Sequence, residues 1–401
     1  MEMSIFLWKW TMWKKIFFDT IKEEKSVYEE EKNMKKEKRR WLQGALAAGA
    51  AVGVTMVGKT YGKRLATANS VEKLTDFDDY NLYKIDVKYD YNTQNVIDYG
   101  IKDNQSFVNA IIKEALPHLP VHIKTPDFGC SAFTAKEADG TVRMGRNYDF
   151  KYDTSALIVH CKPKDGYESI AFSALDNLQA NDADANLKKK LACVAAPFVC
   201  LDGMNEAGVS IAVLTLDSEP VNQKTGKEVI GTTLAIRLVL DYAATTEEAL
   251  TLLEKYDMLA TGGRDYHFYI TDASGDGRVV EYDCESETRE LVATSIRSIT
   301  NFFGLYKDKV LPNQKNGIYG HGKERYDKME AIFDYEEVYN SDVAWEALKA
   351  ASQEPSEEEV TSNTQWSIVY DDTNLTAEIA LRRNWDDVIG YNLKDNTITL
   401  K

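Results

Sequence analysis

The chain has 401 residues and a mass of 45.3 kDa; 44% of its residues are hydrophobic and 28% are charged. This balance is typical of a globular protein with a sizeable core, and it excludes a disordered or fibrous protein. The formal net charge is -16, and because an acidic surface repels phosphate, the charge argues against a nucleic-acid partner.

The start of the chain differs in charge from the rest. Residues 1–68 carry 14 basic and 8 acidic side chains, whereas the rest of the chain carries 34 basic and 56 acidic side chains. The basic run 35–40 directly precedes residues 41–58, which contain no charge. This order predicts an export signal or a membrane tether through 41–58, with 66–68 resembling a small-residue cleavage site. We therefore predict an exported protein, secreted or anchored on the extracytoplasmic side; a buried Ala/Gly-rich helix is the alternative.

Two further segments precede the catalytic part of the chain. Residues 1–33 place aromatic side chains before a Glu/Lys stretch, which predicts either an interfacial amphipathic helix or a segment upstream of a start at Met34. Residues 69–129 are acidic and rich in tyrosine, with a predicted helix at 107–115 before three prolines. We predict a leader at 1–68, a separate segment at 69–129, and a main domain at 130–401.

The pattern changes at residue 130 to short apolar or β-branched runs separated by Gly, Asp and Lys. Strands are predicted at 130–135, 141–149, 156–161, 169–175, 209–216, 365–370, 376–381 and 387–393, with a hairpin at 267–271 and 278–282. Helical spacing predicts a long helix at 232–256, broken near 245–248, and helices at 323–335 and 341–351. Strand blocks interleaved with helix blocks predict an α+β layered sandwich.

The most informative stretch runs from Cys130 to Asp149. Arg146 and Asp149 lie 16 and 19 residues after Cys130. If the two predicted strands pair across the turn at Asp139-Gly140, both side chains return beside Cys130. A thiol near a cation has a lowered pKa and more thiolate, which nucleophilic catalysis needs. The alternatives are a small core cysteine and an ordinary surface ion pair between Arg146 and Asp149.

Five motifs in order resemble the choloylglycine hydrolase family of linear amide C-N hydrolases, over residues 130 to about 393. They are the cysteine start, Gly-Arg-Asn-Tyr-Asp-Phe at 145–150, Asp-Gly-Met-Asn-Glu-Ala-Gly at 202–208, Thr-Asn at 300–301 and Gly-x-x-Arg-Tyr at 322–326. The family includes bile-salt hydrolases and penicillin V acylases and is related to acid-ceramidase-like amidases. The resemblance implies an N-terminal nucleophile (Ntn) hydrolase, a four-layer αββα sandwich with antiparallel sheets.

The resemblance also implies maturation by cleavage of the Gly129–Cys130 bond, because the nucleophile of such enzymes is the first residue. This makes residues 69–129 a propeptide or small subunit and residues 130–401 the catalytic domain. Attack by the Cys130 thiol on the Gly129 carbonyl is the predicted route, and glycine leaves that carbonyl unhindered. A free α-amino group has a pKa of about 7.7 to 8.0, so it can act as general base for its own thiol. No cofactor is implied, because nucleophile and base belong to one residue.

The roles of the other site residues follow from matching the motifs. Asp149 is predicted to hold the new α-amino group, and Arg146 to set the electrostatics of the thiolate. Asn301 is predicted to donate to the oxyanion, and Arg325 to close the polar network. Thr215 stands where bile-salt hydrolases carry a second oxyanion asparagine, which leaves the oxyanion geometry and bile-salt specificity open.

Plain structural roles are expected for several other residues. Asp202-Gly203 is predicted to be a turn, and Asn205 is predicted to have a structural role. The alternatives to the site roles are that Asn301 caps a loop and that Arg325 is a solvated helix residue. The remaining cysteines are predicted to be core thiols, with a Cys193–Cys200 disulfide as the alternative. The histidines lack metal-binding spacing, and His160 and His267 are predicted to be packed.

The function predicted from these residues is hydrolysis of a small acyl amide through a thioester on Cys130. Penicillin V, bile conjugates, N-acyl amino acids and acyl-homoserine lactones all fit, and the sequence does not choose among them. An acyltransferase, a Cys-His protease using His267 or His321, and a non-enzymatic envelope binding protein are the alternatives. A homo-oligomer is left open.

Overall fold

The computed structural model describes residues 58, 61–117, 123, 129–336, 339–356 and 363–400. The chain divides into two units, Met1–Gly62 and Lys63–Lys401. Of the predicted tether at 41–58, only Gly58 is described, and residues 1–33 lie outside the described residues. In the described part of the chain, no helix has the length and apolar character needed to cross a membrane.

Strands account for most of the second unit. In chain order they are β1 (Glu72–Lys73), β2 (Leu82–Val87), β3 (Gly129–Lys136), β4 (Val142–Asp149), β5 (Ala156–Cys161), β6 (Ser169–Ala174), β7 (Asp202–Asn205), β8 (Val209–Leu216), β9 (Glu228–Gly231), β10 (Tyr256–Leu259), β11 (Asp265–Asp272), β12 (Arg278–Tyr282), β13 (Leu291–Ser295), β14 (Ser298–Ile299), β15 (Thr364–Asp371), β16 (Thr376–Leu381), β17 (Ile389–Asn392) and β18 (Thr397–Leu400).

Two large sheets organise these strands. The first has the order β1-β2-β5-β6-β7-β8-β11-β12-β13, and all its neighbours are antiparallel except β2 and β5. The second has the order β14-β3-β4-β15-β16-β17-β18 and is antiparallel throughout. A short parallel pair joins β9 and β10. Every residue of β8 is buried, as expected for a strand between a helix layer and a second sheet.

Helices cover the outer faces of both sheets. They are α1 (Thr93–Asp98), α2 (Asn104–Ala115), α3 (Leu187–Ala192), α4 (Thr232–Tyr242), α5 (Thr246–Leu253), α6 (Lys323–Tyr335) and α7 (Ser341–Ala351), with 3-10 turns at Leu175–Leu178, Cys193–Phe198 and Gly304–Lys309. Helices α4 and α5 pack on the first sheet, α6 and α7 pack on the second, and β3 contacts β8 between them. The predicted α+β class and four-layer αββα order are confirmed.

Two sequence predictions of local structure are wrong. The helix predicted at 232–256 ends at Leu253, and Tyr256 begins β10. The second part of this helix, α5, begins after Thr245, whose side chain caps it by accepting from Glu248 N. Asp202 and Gly203, predicted as a turn, lie in β7 between β6 and β8. Glycine is required there because a Cβ on Gly203 would lie 2.5 Å from Ile170 O.

The segment upstream of Cys130 is built into the first sheet. Strand β2 pairs with β5, and Tyr83 and Ile85 of β2 are buried in the main core. The buried hydroxyls of Tyr89 and Tyr91 donate to Val194 O and Asp241 Oδ1. Residues 63–117 therefore share the core of residues 130–401.

Candidate active site around Cys130

The predicted hairpin around Cys130 is present. Strands β3 and β4 pair with Gly129 opposite Asp149 and Ala132 opposite Arg146. This register brings Arg146 Nη1 to 2.8 Å from Cys130 Sγ. Local pairing across a short turn therefore places the cation beside the thiol, as the spacing in the sequence predicts.

Arg146 is held by partners from both sheets. Its Nε donates to Asp202 Oδ2 at 2.6 Å, and its Nη2 donates to Val213 O at 3.3 Å. The Tyr370 hydroxyl donates to Asp202 Oδ1 at 2.5 Å. Arg146, Asp149 and Asp202 are all fully buried, so the alternative of a surface Arg146–Asp149 pair is wrong. Sequence reasoning missed Asp202 as the partner, although it quoted the motif that contains it.

The uncleaved thiol is not activated. Burial raises the pKa of the Cys130 thiol to about 11, and the nearby Arg146 guanidinium only partly offsets this. The prediction of a lowered pKa is therefore wrong for the intact chain. The physical reason is that Cys130 is fully buried and that the charge of Arg146 is shared with Asp202. Burial also raises the pKa of Asp202, although Arg146 and Tyr370 favour its carboxylate.

Asn301 contacts the backbone of Cys130. Its Oδ1 accepts from Cys130 N at 3.0 Å and from Arg325 Nη2 at 2.8 Å. Its Nδ2 donates to Thr215 O at 2.9 Å and to Thr215 Oγ1 at 3.2 Å. The structure thus brings Thr215 and Asn301 together. Both are buried, which excludes Asn301 as an exposed loop cap.

Arg325 reaches the site from the first turn of α6. Its Nη1 donates to Cys130 O at 2.9 Å, and it is buried rather than solvated. Gly322, which precedes the helix with φ +84, makes room for this side chain, because a Cβ there would lie 2.5 Å from Arg325 Nη2. The guanidinium therefore closes the polar network, as predicted from the motif.

Asp149 is anchored away from the Cys130 amide in the intact chain. Its Oδ1 accepts from Thr364 Oγ1 at 2.6 Å, and its Oδ2 accepts from Gln353 Nε2 at 2.7 Å. Arg325 Nη1 lies 3.6 Å from Asp149 Oδ2. Thr364 and Gln353 gave no signal in the sequence, because they lie more than 200 residues from Asp149. The role of Asp149 in holding the α-amino group stays a prediction for the cleaved chain.

A comparison with protein families matches residues 130–301 to "Linear amide C-N hydrolases, choloylglycine hydrolase family". The matched residues of this chain belong to that family. The match begins at Cys130 and ends at Asn301, so it contains Arg146, Asp149 and Thr215 as well, whereas Arg325 lies beyond it. The predicted family is confirmed, and a small acyl amide is the substrate class that it implies.

Solved structures of two enzymes are similar to the chain. A conjugated bile acid hydrolase from Clostridium perfringens, in two variant crystal structures, is 16% identical, with 68% of this chain and 96% of that chain covered and TM-scores of 0.48 and 0.49. A penicillin V acylase from Agrobacterium tumefaciens is 18% identical, with 66% and 86% covered and a TM-score of 0.46. A comparison with curated proteins gives no significant match.

The histidines proposed for a Cys-His protease have other partners. His267 lies between Glu281 Oε1 and Thr300 O, each at 3.0 Å, and His321 Nδ1 lies 2.7 Å from Asp217 Oδ2. The Cys130 thiol instead accepts from Arg146, which fits the choloylglycine hydrolase family and gives the protease alternative no support.

The other cysteines of the chain are not cross-linked. Cys161, Cys193, Cys200 and Cys284 are free thiols, so the alternative of a Cys193–Cys200 disulfide is wrong. Within the ranges that the structure describes, no cluster of His, Cys, Asp and Glu is suited to a metal ion. Asn205 is structural, as predicted, because its amide caps the end of α4 at Leu240 O and Ala243 O.

Proposed function

We propose that the protein is a cysteine Ntn amidohydrolase that cleaves linear, non-peptide C-N amide bonds. One observation carries the proposal: side chains from the family motifs contact three polar atoms of a single residue. Arg146 contacts Cys130 Sγ, Asn301 contacts Cys130 N, and Arg325 contacts Cys130 O. Such convergence is expected at a nucleophile whose own backbone takes part in catalysis.

The first proposed step frees the α-amino group. The Cys130 thiol attacks the Gly129 carbonyl, the C–N bond breaks as the amine gains a proton, and water hydrolyses the resulting thioester. This releases Gly129 as a carboxylate and leaves Cys130 with a free amine and a free thiol. We propose that the new Gly129 carboxylate, which is buried opposite Asp149 in the intact chain, then moves away and opens the thiol to substrate.

The catalytic cycle then uses the new amine as general base. It accepts the thiol proton, the thiolate attacks the amide carbonyl, and the tetrahedral oxyanion collapses to a thioester as the ammonium protonates the leaving amine. Water, deprotonated by the same amine, releases the acid. In the intact chain Asn301 Nδ2 donates to Thr215, so we propose that these two residues supply the oxyanion donors after cleavage.

Intact mass and N-terminal sequencing of protein expressed from Met34 test this proposal. We expect a new N-terminus at Cys130 in the wild type and none in Cys130→Ala. A second sample is expressed from Cys130 directly, so that no cleavage is needed. If the wild type stays uncleaved and Cys130 is unreactive to iodoacetamide in both samples, the result contradicts the proposal and favours a binding protein.

The proposed substrates are N-acylated amines or amino acids with an apolar acyl part. A panel of penicillin V, a glycine-conjugated bile acid, an N-acyl amino acid and an N-acyl-homoserine lactone tests them by acid release. Addition of a second amine separates hydrolysis from acyl transfer, because a transferase forms a new amide product whereas a hydrolase releases only the acid.

We propose that the upstream segment remains attached after cleavage as a small subunit. Its strand β2 pairs with β5, and its Tyr91 hydroxyl donates to Asp241, so release would expose buried core. Native mass spectrometry should show both fragments in one particle, with separation only in denaturant. A free 130–401 fragment in native buffer would contradict retention.

Export or membrane anchoring is proposed on the charge pattern of residues 35–58 alone. Cell fractionation with a C-terminal tag tests it: the full chain should be found in the envelope or the medium, whereas a chain starting at Gly58 should remain in the cytoplasm. Equal distribution of both chains would contradict the proposal.

A further inference from the structure

Asn301 lies on the segment 300–305, whose position depends on hydrogen bonds from neighbouring strands. Strand β14, which precedes it, has two residues and pairs with β3, placing Ile299 opposite Ala132. The 3-10 turn Gly304–Lys309 follows. Between these elements the direction of the Asn301 side chain depends on how the segment 300–305 is held.

His267 holds the beginning of this segment. It lies on β11, is fully buried, and its Nε2 is 3.0 Å from Thr300 O. Because a carbonyl oxygen only accepts, Nε2 carries the hydrogen of this bond. Two residues along β11, the Tyr269 hydroxyl lies 2.7 Å from Arg297 O, so β11 side chains contact the chain on approach to Asn301.

Glu281 holds the end of the same segment. It lies on β12, next to β11, and is also fully buried. Its Oε1 accepts from Gly304 N at 2.7 Å, and its Oε2 accepts from Leu305 N at 3.0 Å. The remaining contact of Oε1 is His267 Nδ1 at 3.0 Å, so the two side chains form one connected unit.

We propose that His267 and Glu281 are a positioning pair that orients Asn301 for the reaction at Cys130. Together they bond the backbone on both sides of Asn301, and among the described residues neither side chain has a hydrogen bond to Cys130. Burying these two polar side chains costs free energy, which their hydrogen bonds offset, including one hydrogen shared between His267 Nδ1 and Glu281 Oε1. The inference rests on the proposed role of Asn301, because a donor displaced by about 1 Å loses much of its effect on the transition state.

Turnover of penicillin V and of a glycine-conjugated bile acid by the processed full-length protein tests this pair. We expect His267→Leu to lower kcat about 10- to 100-fold with KM changed less than about twofold. His267→Gln, whose amide can still donate to Thr300 O, should retain more activity. The matched control is His160→Gln, because both ring nitrogens of His160 also have partners, Asp86 and Glu168, but His160 lies on β5.

A double variant separates positioning from plain stability. In an Asn301→Ala background, His267→Leu should lower kcat by less than about twofold further, because the group that it positions is gone. A loss as large as in the wild-type background would overturn the proposal. The rate of Cys130 alkylation by iodoacetamide should stay within about twofold in His267→Leu, whereas loss of alkylation would make His267 a base for the thiol.

Amide hydrogen exchange tests the pair independently of activity. We expect exchange at residues 300–305 to be about tenfold faster in His267→Leu and in Glu281→Gln, and unchanged in His160→Gln. Unchanged exchange in both positioning variants would overturn the inference. A wild type that turns over neither probe would count against the proposed function, and the exchange result would still decide whether the pair holds the segment.

Discussion

Two buried arginine–aspartate pairs in this molecule have different surroundings. Arg146 and Asp202 come from strands of the two different sheets, and they meet at the nucleophile. Arg237 and Asp241 lie one turn apart on α4, with Arg237 Nη2 at 2.7 Å from Asp241 Oδ1. All four side chains are buried, so exposure does not distinguish the pairs.

Hydrogen bonding distinguishes them. Each nitrogen of Arg146 has an acceptor, and both Asp202 oxygens have donors. Arg237 Nη2 contacts Ser169 Oγ and Asp241, but Arg237 Nε and Nη1 and Asp241 Oδ2 have no hydrogen-bond partner among the described residues. The Arg146–Asp202 pair beside Cys130 is thus fully hydrogen-bonded by groups from several strands, whereas the Arg237–Asp241 pair on α4 is incompletely bonded.

The largest effect is expected at Arg146. Arg146→Met should lower turnover by at least about 1,000-fold, because the thiolate loses its cation, and should leave the buried Asp202 carboxylate without its cation. Self-cleavage rate and kcat/KM measure the loss. Arg146→Lys, which keeps the charge without the planar donors, should retain intermediate activity. Wild-type turnover in Arg146→Met would show that the guanidinium has no part in the reaction.

At the Arg237–Asp241 pair on α4, a substitution should change the free energy of unfolding and not turnover. Arg237→Met should lower the free energy of unfolding by about 3–5 kcal/mol, because Asp241 is left buried and unpaired. Turnover per folded molecule should stay within about twofold. Urea denaturation measures the first and active-site titration the second. The double variant Arg237→Met, Asp241→Leu should recover most of the stability; a further loss would mean that the pair contributes net stability.

The helix pair also predicts a dependence of stability on pH. Burial raises the pKa of Asp241 to about 6 from its ordinary 3.8, although Arg237 favours the carboxylate. The folded state therefore binds more protons than the unfolded state between about pH 4 and 6, so stability rises as pH falls through this window. Relative to Asp241→Asn, the wild type should gain about 2 kcal/mol from pH 6 to 4.

The control for this pH dependence is Asp165→Asn, at an exposed carboxylate of the neighbouring loop. Its unfolding free energy should follow the wild type at every pH. An Asp241→Asn variant that also follows the wild type from pH 6 to 4 would show that Asp241 does not titrate in this range.

The smallest effect is expected at Tyr370. Tyr370→Phe removes the hydroxyl donor to Asp202 Oδ1 and should cost about 1–2 kcal/mol of unfolding free energy. Tyr282→Phe is the matched control, because Tyr282 is equally buried and its hydroxyl has no partner among the described residues. Urea denaturation compares the two; equal costs would mean that the bond to Asp202 contributes nothing specific.

Much of the local structure was predictable from sequence because its signals are local. The bounds of α6 and α7 are those predicted, since their apolar spacing is helical and Asn340 caps α7. The β3–β4 hairpin was predictable for a similar reason: a Gly turn separates two β-rich runs. Strand β2 was not predicted, because it is defined by parallel pairing with β5 more than sixty residues away.

By itself, the sequence determined the family resemblance and the layered α+β class, and it predicted Cys130, Arg146, Asn301 and Arg325 as site residues, because motif order and short-range periodicity are local features of the chain. Only the tertiary structure decided which groups meet these residues. Asp202 reaches Arg146 from 56 residues away, and Tyr370 reaches Asp202 from 168. The tertiary structure also decided that the pKa of the uncleaved Cys130 thiol is raised. Desolvation depends on all the groups packed around Cys130 and not on its neighbours in sequence.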